Sequence, residues 1–165
     1  MAYLLDANVF IEAKNRHYGF DFCPAFWDWL KAGHAAGKIF SIEKVGDELQ
    51  SGSDELSHWA SRLGDRFFLP PDPSTLGSLA TVAEWVRSQA YQPAAISAFL
   101  EDADYYLVAQ AHARKDILVT HEVPSDGVKR REDPERGHWA GIRHMNPFEM
   151  LRRERARFIL GAREK

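Results

Sequence analysis

Apolar positions along the chain follow two rhythms. Short strand-like runs stand at 3–5 ("YLL"), 38–42 ("KIFSI"), 66–69 ("RFFL", stopped by Pro70 and Pro71), 117–119 ("ILV") and 142–145 ("IRHM"), of which "YLL" and "ILV" are wholly apolar. Runs this short, bounded by polar or turn residues, predict strands. Between them the spacing is helical. "CPAFWDWLKAGHAAGK" opens with Pro24 and closes near Gly37, and "EKVGDELQSG" closes at Gly52. "SDELSHWASRLG" has Ser53 or Asp54 as N-cap and Gly64 as stop. Helical composition continues through "PSTLGSLATVAEWVRSQA", a strong helix from about residue 100 to 114, and "PFEMLRRERARFIL" with Pro147 in its first turn.

Strands that alternate with helices predict an α/β fold in three layers, a mainly parallel central sheet flanked by helices. A length of 165 residues favours one domain over 1–165. No repeat or linker interrupts it. The polar, Gly- and Pro-bearing stretch 123–141 is the one long irregular segment, which marks it as functional or mobile.

In a parallel sheet, ligands bind at the carboxyl ends of the strands. Asp6 follows the first strand there, and Thr120 and Glu122 follow the fourth. Asp6 also suits an N-cap of the turn that follows it. On the helix expected over 100–114, Asp104 stands four residues after Leu100 and three and four before Leu107 and Val108, on the inward face. A charge there needs a partner. No Lys or Arg occurs on that helix before Arg114, so a local ion pair does not supply one. Glu101 and Asp102 point elsewhere, Asp102 toward the edge of the site. Glu48 follows Val45 by three residues, near the inward face of its helix, whereas Asp47 points to solvent.

Four acids, Asp6, Glu48, Asp104 and Glu122, thus converge on one sheet edge. Carboxylates brought together raise each other's pKa unless a cation joins them. An all-oxygen set suits Mg²⁺ or Mn²⁺ and not zinc. Such an ion serves phosphodiester hydrolysis. Competing chemistries lack their residues: the chain has neither a G-x-G-x-x-G nor a G-x-x-x-x-G-K-[ST] motif, and "DAN" lacks a second aspartate two residues on. His121 alternates away from Thr120 and Glu122 and is the least expected of the three to act. His58 and His138 read as surface or satisfied residues. Cys23 reads as a core thiol, and Trp27 and Trp29 fall on different faces of their helix.

Charge adds a second element. Residues 1–128 carry 10 Lys/Arg and 18 Asp/Glu, and residues 129–165 carry 11 and 6. The bland reading of the basic tail is a solvated helix; the functional one is contact with phosphates, Lys129, Arg130 and Arg131 among them. Hydrophobic content of 45% excludes a disordered chain. The apolar runs are too short to span a membrane. The N-terminal stretch has no basic region and places Asp6 among its apolar residues, so no secretory leader is expected. With one cysteine there is no intrachain disulfide, and a cytoplasmic setting is expected.

Taken in order, "YLLDANVFI", "VGDEL", "DADYYLVAQAHA" and "ILVTHE" resemble the four motifs of PIN-domain nucleases, most closely toxin ribonucleases of the VapC type. "IRHMNPFEML" resembles the last strand and helix of that fold. The resemblance covers nearly the whole chain. It implies that Asp6, Glu48, Asp104 and Glu122 bind Mg²⁺ or Mn²⁺ and carry catalysis, that Asn8 and Thr120 support them, and that the activity is endonucleolytic cleavage of RNA. It further implies a cognate antitoxin and a homodimer. Glu122 departs from the aspartate common at that position, and the Trp-rich segments and basic loop depart as well, which points to a divergent branch. The alternatives are a catalytically weak PIN-like module that binds RNA or protein, and a DNA nuclease.

Overall fold

The computed structural model describes residues 1–88, 91–122, 138–139 and 141–161. Strand β1 (Tyr3–Leu5) leads into α1 (Ala7–Glu12) and a π-helical turn (Ala13–His17), then α2 (Pro24–Ala35). After β2 (Ile39–Ile42) come α3 (Glu43–Gln50), α4 (Glu55–Leu63) and β3 (Phe68–Leu69). Three helices follow, α5 (Pro73–Ser88), α6 (Pro93–Glu101) and α7 (Ala103–Arg114), and then β4 (Ile117–Val119). The last elements are β5 (His138–Trp139), β6 (Ile142–Met145) and α8 (Pro147–Arg153).

The sheet runs β3-β2-β1-β4-β6-β5. Five strands are parallel, and β5 alone pairs antiparallel, at the edge with β6. All three residues of β1 and all three of β4 are buried, as central strands covered on both faces must be. This is why their sequences are unbroken apolar runs and do not alternate. Helix α2 packs on β2, and α7 packs on β2, β4 and β6. An aromatic group of Phe10, Trp27, Trp59, Phe67 and Phe68 fills much of the core. No helix among the described residues is long and apolar enough to cross a membrane.

Local chemistry accounts for several boundaries. Asp54 caps α4 by accepting from the Ser57 amide at 2.9 Å, and Gly64 ends it at φ 66°, a left-handed conformation that favours glycine. At Gly46 a Cβ would lie 2.8 Å from Phe68 Cγ. Only glycine lets α3 approach β3 this closely. Asn146 and Glu149 form a reciprocal capping box at the start of α8.

Four expectations change. The helix expected over 100–114 is broken: Asp102 is extended (φ −88°, ψ 156°), ends α6 and begins α7. Leu100 therefore belongs to α6 and does not share a helical face with Asp104. Asp102 takes this N-cap position without a side-chain capping bond; in a helix interior an Asp side chain competes with the backbone. The C-terminal helix stops at Arg153. Glu154 is held by Tyr3 Oη at 2.6 Å and Lys38 Nζ at 2.9 Å, and Arg155 turns left-handed at φ 53°. Phe158 then packs on Tyr18 and Phe26. These contacts outweigh the helical propensity of "RERARF". Strand β5 is additional. Cys23 is half-buried at the N-cap position of α2, outside the core proper. Trp27 is buried and Trp29 half-buried.

Candidate functional site

The strand order places a crevice between β1 and β4. From β1 the chain passes to β2 on one side, while β4 lies on the other, so the order reverses between them. Such switch points are where open α/β sheets bind ligands. Leu5 pairs with Val119, so the next residues, Asp6 and Thr120, emerge side by side. The Asp6 amide donates to Val119 O at 2.9 Å, and the Thr120 amide to Met145 O at 3.1 Å. Residues 114 positions apart are thereby fixed by sheet pairing alone.

Asp6 is 8% exposed. It occupies the N-cap position of α1, but its side chain makes no capping bond. Instead Asp6 Oδ2 accepts from Thr120 Oγ1 at 2.8 Å and from Asn8 Nδ2 at 3.0 Å. Neither bond competes for Oδ1. Thr120 Oγ1 also accepts from Asn8 Nδ2 at 3.0 Å and from the Glu122 amide at 3.1 Å. Asn8 Oδ1 accepts from the His121 amide at 3.1 Å. One closed network thus ties Asp6, Asn8 and residues 120–122.

Asp104 is half-buried in the first turn of α7, and Glu48 on α3 and Glu122 after β4 are exposed. The inward position expected for Glu48 is not the observed one: Val45, Gly46 and Leu49 face the core, and Glu48 lies on the rim. Burial foremost pushes the Asp6 carboxyl up to about 6; Glu122 and Glu48 add to this, against the pull of Thr120 and the Ala7 amide. Asp104 is pushed up to about 7, by burial first, then by Asp6, Asp102, Glu122 and Glu48. Asp6 and Asp104 therefore both feel the charges of Glu48 and Glu122, and Asp104 also feels Asp6 and, from the edge, Asp102.

The ion pairs among the described residues lie elsewhere, at Lys14–Asp54, Arg16–Glu12, Lys38–Glu154 and Arg114–Asp116. No Lys or Arg neutralises the four acids in a direct pair among the described residues. By donor chemistry they fit a hard divalent cation: oxygen donors only, mutually repelling, with neutral partners on Asp6. They do not form a ready coordination shell, since no three His, Cys, Asp or Glu groups among the described residues stand close enough to hold an ion. Lys129, Arg130 and Arg131 lie outside the described residues.

Two features around the site escaped the sequence reading. Lys44 lies over the Tyr106 ring at 4.1 Å, bridging α3 and α7 on the rim. Its place one helical turn before Glu48 was the available signal. His17, His121 and Phe148 form a ring cluster beside Glu122, with His121 held below its usual pKa by burial and by His17. Nothing local in the sequence announces this cluster, because its members come from three separate segments.

Among solved structures the chain is similar to VapBC2 from Rickettsia felis bound to a DNA fragment from their promoter. The TM-score is 0.51 at 15% sequence identity, over 88% of this chain and 98% of that one. At this identity the likeness concerns the fold, which is PIN-like. No curated protein matches the sequence. The profile of the family described as domain of unknown function DUF4411 matches residues 3–158, and the chain belongs to that family.

Proposed function

We propose that this chain is a metal-dependent endoribonuclease in which Asp6, Glu48, Asp104 and Glu122 hold Mg²⁺ or Mn²⁺. One observation carries the reading: the buried Asp6 and half-buried Asp104 lie in one electrostatic cluster with Glu48 and Glu122, and no side-chain cation pairs with them among the described residues. A bound divalent ion supplies positive charge to a phosphodiester and makes water more acidic. The chain's own residues do the rest. Thr120 and Asn8 hold Asp6 Oδ2 and leave Oδ1 uncontested. Glu48 and Glu122, exposed on the rim, would add their carboxylates to the donor set on the solvent side of Asp6 and Asp104, and Glu122 would be the base nearest to solvent. Lys44 on the rim attracts the RNA phosphate backbone. The PIN-like fold shared with the Rickettsia felis VapBC2 structure supports a toxin that works with a cognate antitoxin, and a homodimer is part of the same proposal.

Cleavage of single-stranded RNA in Mn²⁺ tests the reading. Asp6→Asn lowers the rate by more than about 100-fold, beyond the effect typical of outer-shell residues, while circular dichroism stays unchanged. An Asp6→Asn protein that cleaves like wild type rules the mechanism out. DNA of matched sequence separates RNA from DNA specificity. A catalytically weak binding module is favoured by one observation, the lack of a ready coordination shell among the described residues. Calorimetric titration with Mn²⁺ discriminates: no measurable heat, with or without RNA, supports the module.

A further inference from the structure

Beside the carboxylates lies a surface that hydrolysis itself does not use. His17 ends the π-helical turn, His121 stands between Thr120 and Glu122, and Phe148 lies in the first turn of α8. The His17 ring is 5.8 Å from His121 and 5.1 Å from Phe148, and His121 is 5.7 Å from Phe148, centroid to centroid. The cluster is tied to the site through the backbone. The His121 amide donates to Asn8, whose side chain also holds Asp6. The turn that presents His17 is anchored by Lys14 Nζ, 2.7 Å from Asp54 Oδ2.

Two properties distinguish these rings from core packing. His17 is exposed and the other two are half-buried, whereas Phe10, Trp59 and Phe67 are buried. Arg152 follows Phe148 by four residues on α8, hence on the same face. It is exposed and makes no ion pair among the described residues. An accessible ring surface with a cation alongside matches the two things a single strand offers, the face of a base and a phosphate. In a duplex the base faces are covered by stacking, so single-stranded RNA is the form this surface suits.

We propose that His17, His121 and Phe148 seat one unpaired base of an RNA strand beside the phosphodiester at the carboxylates, with Arg152 on a neighbouring phosphate. The His121 amide bonds Asn8, which also bonds Asp6, so the ring cluster borders the carboxylates and the seated base belongs to a nucleotide flanking the bond to be cut. The seat then contributes to the choice of cleavage position. It rests on the nuclease reading above.

The experiment is fluorescence anisotropy with a labelled single-stranded RNA of about 12 nucleotides, within the usual range of single-strand sites, in Ca²⁺ to slow cleavage. His17→Ala weakens binding by roughly 5- to 100-fold, the range for loss of one stacked base. His17→Phe restores it, because the stacking face returns without the imidazole nitrogens. Neither change moves the melting temperature, since His17 is exposed. With the complementary duplex, wild type and His17→Ala bind alike. The seat is overturned if His17→Ala binds the single strand as wild type does, or if His17→Phe is as weak as His17→Ala. Wild type that cleaves RNA in Mn²⁺ while His17→Ala keeps full affinity removes the seat and leaves the nuclease. Wild type that neither binds nor cleaves RNA removes both.

Discussion

Thr120 Oγ has one proton to give and two lone pairs to offer, and all three are engaged. It accepts from Asn8 Nδ2 and from the Glu122 amide, so its own proton goes to Asp6. The hydroxyl therefore orients a carboxylate on one side and the backbone entering Glu122 on the other. Thr120→Val keeps the shape but removes one of the two bonds to Asp6 Oδ2, one bond of Asn8 Nδ2 and the acceptor of the Glu122 amide. It should cost about 1–3 kcal/mol, the penalty for unsatisfied buried polar groups, and lower RNA cleavage as well. Thr120→Ser keeps the hydroxyl and should cost well under half as much. Urea unfolding of the two variants checks the difference; equal midpoints would show that the network does not hold the site together.

At the scale of elements, the site depends on how closely helices approach the sheet. Helix α3, which carries Lys44 and Glu48, is drawn in at Gly46 against Phe68. Gly46→Val forces Phe68 aside and should destabilise by roughly 1–3 kcal/mol through overpacking, a penalty that valine's modest helix propensity does not offset. A melting temperature at or above wild type would contradict the close approach. The break at Asp102 matters equally. It starts α7 at Ala103 and puts Asp104 in the first turn, where the helix dipole favours a negative charge. Burial and the neighbouring acids outweigh that help, since the carboxyl still lies at about 7.

At the scale of the molecule, the cluster sets a pH dependence. Burial and neighbouring carboxylates push Asp6 up to about 6 and Asp104 up to about 7, from an ordinary 3.8. Between those limits the native state binds more protons than the unfolded chain, so stability falls as pH rises. Their contribution is neutral below about pH 4 and becomes fully adverse only above about pH 8. His121, held below its ordinary value by burial and by His17, works in the opposite direction. The informative quantity is therefore the difference between wild type and Asp104→Asn. In EDTA, Asp104→Asn should gain melting temperature relative to wild type from about pH 5 to pH 8. Mn²⁺ should stabilise wild type more at the higher pH, by about 2.7 kcal/mol at a hundredfold excess over its dissociation constant. A difference that stays flat with pH would mean that Asp104 ionises freely.

The chain's own periodicities determined the element types and the fold class: unbroken apolar runs for β1 and β4, helical spacing between them, and glycine and proline at most ends. These were legible because burial on both faces and a favoured φ act on each residue locally. The polar residues Asp6 and Thr120 directly after their strands were legible for the same reason. What only the tertiary structure decided were outcomes that depend on distant partners. The end of α8 at Arg153 is set by contacts of Glu154 with Tyr3 and Lys38, and the rim position of Glu48 by which face of α3 meets Phe68. Pairing of β1 with β4 brings Asp6 to Thr120, and three separate segments bring His17, His121 and Phe148 together. Such neighbours leave no period in the sequence, because the interaction that selects them exists only after the chain has closed upon itself.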